Sequence, residues 1–171
     1  MAKILVFDDR LGGSPPWKYA SSTCLVNETH SMVSIVTWLK GKCKKYAGKE
    51  TVYVMAHGNQ GSVQLGRDGL NVHTAHFWGS LAWKLDQIII LACSVAGGEK
   101  GDDFCSKLAR TTHCFVTAAE TKQMYFYLPF GLLPTSFGDW EGRVDTWDPE
   151  GNWFSSFGVE EGDLDYGNFS M

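Results

Sequence analysis

The fold can be read from two stretches: Thr51-Val52-Tyr53-Val54-Met55-Ala56-His57-Gly58 and Gln87-Ile88-Ile89-Ile90-Leu91-Ala92-Cys93-Ser94. Each is a short apolar run that ends in a reactive side chain. Their length and β-branched content are those of buried strands. Side by side in a parallel sheet, such strands deliver the imidazole of His57 and the thiol of Cys93 to one sheet edge. That edge, at the carboxyl ends of the strands, is where open α/β sheets hold ligands.

To either side of these runs, Ala2–Phe7 reads as a first strand stopped by Asp8-Asp9-Arg10, and Leu11–Ser22 as a loop around Gly12-Gly13-Ser14-Pro15-Pro16. Over Glu28–Ala47, Met32, Val36, Leu39, Cys43 and Tyr46 recur at spacings of four and three. This predicts a helix that Gly48 ends. Ser62–Leu65 alternates as a small hairpin arm. His73–Leu85 is expected to be helical, with Phe77, Leu81 and Leu85 inward. A helix over Asp102–Arg110, with Phe104, Leu108 and Ala109 inward, leads to a last strand at Cys114–Ala119. The order β-α-β-hairpin-α-β-α-β predicts an α/β fold, a mostly parallel sheet with helices on its faces. Beyond Thr121 the texture changes. Arg143–Trp153 reads as strand, turn, strand around Asp148-Pro149-Glu150-Gly151-Asn152. We therefore divide the chain into residues 1–136, carrying the chemistry, and an aromatic, acidic β-rich extension over 137–171, packed on the same domain.

Bulk properties narrow the function. The chain has 171 residues, 44% of them apolar, enough for one real core. Residues 1–50 carry eight Lys/Arg against four Asp/Glu, and residues 137–171 carry one Arg against nine Asp/Glu. An acidic, aromatic tail argues against nucleic acid as partner. Five cysteines without regular spacing, and no signal-peptide core at Met1–Phe7, fit a reducing cytoplasm or export without a cleavable signal. No run reaches the roughly 18 apolar residues of a membrane span, so no membrane partner is expected.

A histidine beside a cysteine can hold the sulfur as thiolate, the nucleophilic form. Cys93 would attack a carbonyl carbon; His57 would protonate the leaving amine and then activate water. The N–H groups of Gly58 and Cys93 are the candidate oxyanion donors, Gly58 because it has no Cβ to hold a substrate away. Zinc is the rival use of His and Cys. His73 and His76 sit three apart and His113 adjoins Cys114, but no paired knuckle exists. Gly97-Gly98-Glu99-Lys100-Gly101 lacks the spacing of a phosphate loop. Neither a metal nor a cofactor is expected. Of seven Trp, Trp140, Trp147 and Trp153 gather around the predicted hairpin, as a core cap or as the wall of a peptide groove.

The block His57-Gly58-Asn59-Gln60-Gly61-Ser62-Val63-Gln64-Leu65-Gly66, followed by Ile89–Ala96, Phe104 with Leu108-Ala109, Val116–Ala119 and Gly138-Asp139-Trp140, resembles the caspase-like superfamily of cysteine peptidases. The likeness extends to a caspase-like domain of large bacterial surface and calcium-repeat proteins, and covers roughly residues 50–142. It implies that His57 and Cys93 are the catalytic pair, that the substrate is a protein or peptide, and that an activating ligand or partner protein can switch the enzyme. A bacterial effector or processing role would use the same chemistry. Papain-like enzymes place Cys before His and are unlike this chain. Leu91 and Ser94 depart from the glutamine and arginine that flank the caspase cysteine, so an aspartate preference is not implied. Pocket candidates are Asp9, which suits a basic residue, Arg10, an acidic one, Leu91, an apolar one, and Ala118. The sequence does not choose among them. The alternative is a catalytically idle caspase-like module that binds a protein partner through its aromatic C-terminal face.

Overall fold

The structure, a computed structural model, describes residues 2–16, 20–43, 50–126, 136–137 and 139–157. In chain order it contains β1 (Lys3–Asp8), β2 (Ser22–Val26), α1 (Met32–Lys42), β3 (Glu50–Met55), β4 (Gly58–Asn59), β5 (Ser62–Val63), β6 (Leu70–Asn71) and a 3-10 helix over Ala75–Leu81. There follow β7 (Leu85–Leu91), α2 (Gly98–Thr112), β8 (Phe115–Ala119), β9 (Tyr125–Phe126), β10 (Ser136–Phe137), β11 (Val144–Trp147) and β12 (Trp153–Phe157). Seven strands form one sheet in the order β12-β11-β8-β7-β3-β1-β2, with β8, β7, β3, β1 and β2 parallel. All of β3 and most of β1 and β7 are buried. Covered on both faces, they read as continuous apolar runs, which is why the sequence shows them.

The order of the strands explains where the helices lie. The steps β2 to β3, β3 to β7 and β7 to β8 all run the same way across the sheet. Right-handed connections in one direction pass over one face. Accordingly α1, the 3-10 helix and α2 all contribute to a single large core on that face, through Met32, Ile35, Leu39, Trp78, Phe104 and Leu108. Among the described residues the opposite face carries a short 3-10 turn over Asp9–Leu11 and no α-helix. The step from β1 to β2 runs the other way, and Leu11 and Ala20, on that connection, pack on the opposite face with Leu5, Phe7, Tyr53, Met55, Ile89 and Leu91. The reversal puts a topological switch point between the carboxyl ends of β1 and β3, and a crevice is expected there.

Other corrections are local. Ser22–Val26 forms an edge strand that the sequence hides, because Leu25 is exposed and only alternate residues are buried. The first helix starts at Met32 rather than Glu28. Asn27 Oδ1 accepts from Thr29 N–H at 2.9 Å, holding a turn, and Ser31 caps the helix by accepting from Ser34 N–H at 3.1 Å. Tyr46 and the stop at Gly48 lie outside the described residues. The predicted helix over His73–Leu85 shrinks to the 3-10 helix, whose three-residue period turns Ala75, Trp78 and Leu81 inward and leaves Phe77 partly exposed. The C-terminal hairpin forms as expected. Asp148 Oδ1 accepts from the Glu150 and Asn152 N–H groups, and Gly151 takes φ +83°. Through β11, paired antiparallel to β8, the hairpin continues the main sheet. No helix among the described residues is long and apolar enough to cross a membrane.

Candidate functional site

The ends of β3 and β7 bring the two reactive residues together. Met55 and Leu91 are ladder partners, and the last bond, Ala56 N–H to Leu91 O, is long at 3.4 Å. Side chains alternate along a strand. Tyr53 and Met55 on β3, and Ile89 and Leu91 on β7, face the side of the sheet opposite α1 and α2, so that parity carries His57 and Cys93 to the same side. Both chains then turn sharply. Ser94 takes φ +54°, a left-handed conformation rare for a non-glycine residue, and its N–H donates to Thr121 O at 2.8 Å. Gly58 packs directly on the cysteine turn. A Cβ there would lie 2.6 Å from Cys93 O, 2.7 Å from Val95 Cγ2 and 2.8 Å from Ala92 Cβ. Only glycine allows this approach.

Cys93 is half-buried, whereas Cys24, Cys43, Cys105 and Cys114 are all buried. Burial pushes the thiols of Cys24 and Cys43 up to about 11 and that of Cys114 up to about 12, so they stay protonated. Cys93 Sγ donates to Gln123 O and accepts from Gln123 N–H, both at 3.4 Å. His57 is exposed, and its Nε2 lies 3.2 Å from Arg10 O. A carbonyl can only accept, so Nε2 carries the proton and Nδ1 keeps its lone pair. Among the described residues no hydrogen bond joins His57 to Cys93. The thiol is engaged by Gln123 and the imidazole by Arg10.

The carbonyl that orients His57 belongs to a residue whose side chain is held in a partly buried ion pair. Asp8, 1% exposed, accepts from Arg10 Nε at 2.7 Å and Arg10 Nη2 at 2.6 Å. Its Oδ2 also takes the Gly66 N–H at 3.0 Å, and Arg10 Nη2 donates to Gly66 O at 2.8 Å. The Asp8 hydrogen bonds hold the Arg10 guanidinium above its ordinary value. Asp8→Asn would oppose an amide N–H₂ to these donors. It should cost about 3 kcal/mol in urea unfolding and slow any His57-dependent reaction. A stability change under about 0.5 kcal/mol, within the usual surface-mutation range, would show that the pair is idle.

These contacts sort the pocket candidates. Arg10 is committed to Asp8 and Gly66. Leu91 and Ala118 are buried, Leu91 in the smaller cluster with Leu5 and Met55 and Ala118 in the large core under the helices. Asp9 is exposed, and its carboxylate has no hydrogen-bond or ion-pair partner among the described residues. Of the oxyanion candidates, Cys93 N–H has no partner among the described residues. Gln64 N–H donates to His57 O at 2.8 Å, and antiparallel ladders alternate. Gly58 therefore forms the non-hydrogen-bonded pair with Val63, and its N–H turns away from β5.

Sequence reasoning missed Asp8, Gly66, Gln123 and Tyr125. Asp8 left a signal as part of the charged stop after β1, and Gly66 as the end of the block that begins at His57. No group of three or more His, Cys, Asp or Glu suited to a metal occurs among the described residues. His113 instead stacks on Trp83 at 4.2 Å, and His76 Nδ1 lies 2.8 Å from His73 O. On the helix face, a cleft of about 450 Å³ is lined by Asp102, Glu120, Arg143, Asp145 and Trp153. Burial, then Asp145, raises the Glu120 carboxyl above its usual range.

The chain belongs to the family described as "Domain of unknown function (DUF4347)", whose model matches residues 17–123. That span includes His57, Gly58, Cys93 and Gln123 and ends before the hairpin of β11 and β12. No curated protein and no solved structure matches the chain.

Proposed function

We propose that the chain is a caspase-like cysteine peptidase that hydrolyses a peptide bond through Cys93 and His57. The observation that carries this reading is the placement of the only half-exposed thiol beside a histidine, on one face, at the carboxyl ends of adjacent parallel strands, with Gly58 in contact between them. Cys93 thiolate attacks the carbonyl carbon, and the charge that develops on oxygen meets the N–H groups of Cys93 and Gly58. Nδ1 of His57, which takes the Cys93 proton as the thiolate forms, gives that proton to the leaving amine, and a thioester is left. His57 then takes a proton from water, and hydroxide attack releases the acid and restores the thiol. The pair needs no cofactor.

The test is mass-spectrometric profiling of a peptide library incubated with wild type and with Cys93→Ala. Cleavages confined to wild type support the peptidase; identical profiles, with and without cell extract as a source of activator, defeat it. With Arg10 committed and Leu91 buried, Asp9 is the candidate that suits a substrate side chain, and it favours Lys or Arg before the scissile bond. Asp9→Asn should then lower kcat/KM for such peptides about tenfold, the loss of one exposed-to-half-buried charge pair of about 1.4 kcal/mol. An unchanged preference for a basic residue would remove Asp9 from the pocket.

One observation favours the idle-module alternative. Trp153 and Phe154 are exposed on the outer strand β12, and exposed aromatic side chains on an edge strand suit a protein partner. Slow, uniform alkylation of all five cysteines would support that reading.

A further inference from the structure

Cys93 and His57 both follow strand ends where the ladder has already loosened. The final bond between β3 and β7, Ala56 N–H to Leu91 O, stretches to 3.4 Å. Nothing in that ladder fixes the separation of the next two residues. A side chain from elsewhere reaches this place. The Tyr125 hydroxyl lies 2.9 Å from Ala56 O and 2.6 Å from Leu91 O, so one O–H is directed at both carbonyls. These carbonyls belong to the peptide bonds that lead into His57 and into the residue before Cys93.

We propose that Tyr125 is a positioning residue for the proposed dyad, a clamp across the carboxyl ends of β3 and β7 that sets the approach of His57 to Cys93. Three observations carry it. The hydroxyl is at short distance from both strand ends and not from either alone. The ring packs against the buried cluster on this face of the sheet, to which β1, β3 and β7 all contribute, so the hydroxyl is aimed by a packed body rather than by a flexible stem. The segment that carries Tyr125 is itself attached to the site. Two residues earlier, the Gln123 backbone bonds Cys93 Sγ, and the buried Gln123 amide donates to Glu141 O at 2.8 Å and accepts from Glu141 N–H at 3.0 Å. Tyr125 therefore links both strand ends to a segment that also touches the thiol. Burial holds the phenol above its ordinary value, so the hydroxyl keeps its proton as donor.

This role rests on the Cys93/His57 reading, and the closing experiment separates the two. Tyr125→Phe keeps the ring in the core and removes only the hydroxyl. With the peptide library reading out cleavage, the variant should show kcat lowered roughly 10- to 100-fold and KM within about twofold, since a shift of about 1 Å in reacting groups costs on that order. Iodoacetamide labelling of Cys93 near neutral pH should also slow at least about threefold, because a thiol that loses its histidine loses thiolate character. Thermal unfolding of both proteins establishes that the variant is folded. If Tyr125→Phe destabilises the chain, amide hydrogen exchange at Ala56–Gly58 and Ala92–Ser94 decides: faster exchange confined to these segments supports the clamp, and uniformly faster exchange overturns it. Wild-type kcat and alkylation rate in a folded Tyr125→Phe also overturn it. If wild type and Cys93→Ala give identical peptide profiles, the peptidase reading fails instead. The alkylation ratio then still decides on Tyr125, with equal rates removing it.

Discussion

Cys93→Ala should abolish wild-type-specific peptide cleavage altogether, and His57→Ala should reduce it by roughly two to four orders of magnitude, the usual contribution of positioned acid–base catalysis. The asymmetry follows from the roles. Without sulfur no thioester forms, so no slower version of the same path remains. Without the imidazole the thiol can still ionise to a small extent, and water can still protonate the amine slowly. Residues that act as one unit are not additive, so the double variant should be no slower than Cys93→Ala alone. Alkylation provides a second readout that needs no substrate. One thiol should label fast, absent in Cys93→Ala and slowed in His57→Ala. The four buried thiols should label only on unfolding, since burial keeps those of Cys24 and Cys43 protonated up to about 11 and that of Cys114 up to about 12. Equal activity of His57→Ala and wild type would end the dyad mechanism even if Cys93 proved essential.

Gly58→Ala is the second large effect. The added Cβ would meet the Cys93 carbonyl, Val95 and Ala92 at 2.6–2.8 Å. Two of these atoms are backbone or fixed to it, so no rotamer change relieves the clash. Relief requires the His57–Asn59 segment and the cysteine turn to move apart. Overpacking of this kind costs about 1–3 kcal/mol in stability. In the proposed mechanism the same movement separates Cys93 from His57 and displaces a proposed oxyanion donor, so kcat should fall on the order of 100-fold or more. Gly41→Ala is the control. It lies in α1 with nothing within 4 Å of its Cβ position, and should leave cleavage unchanged while stabilising by about 0.5–1 kcal/mol. Urea unfolding and steady-state kinetics of the two variants decide. Wild-type stability and turnover in Gly58→Ala would mean that the contact between the histidine and cysteine turns does not shape the site.

Much of the architecture is legible in the order of the residues. β1, β3, β7 and β8 announce themselves because strands buried on both faces must be apolar at nearly every position. The inward residues of α1 and α2 follow because a helix against a sheet buries one stripe, and Met32, Val36, Leu39, Phe104 and Leu108 keep that period. The hairpin after Arg143 is legible from its turn residues. Less regular elements are not. β2 is an edge strand with Leu25 outside, so its pattern is that of a half-polar segment. The 3-10 helix keeps a three-residue period over too few turns to be told from an α-helix. The sidedness of the helices depends on the order of strands in the sheet, which no local period encodes.

The same division holds for the site. Residue identity alone supplies the two chemical groups, their order and their positions at the ends of buried strands, because apolar runs and reactive side chains are properties of residues. It also singles out Gly58 as a residue next to the histidine without a Cβ. The folded chain adds that Gly58 must be glycine, that Arg10 serves through its carbonyl while its guanidinium is held by Asp8, that Leu91 is core, and that Gln123 and Tyr125 reach the thiol and the strand ends. The reason is physical. The Gln123 and Tyr125 contacts end on backbone N–H and C=O groups, which nearly every residue carries, across sequence separations of 30 to 69 residues. A bond whose one end is a group common to all residues leaves no mark in the identity of the residue at that end.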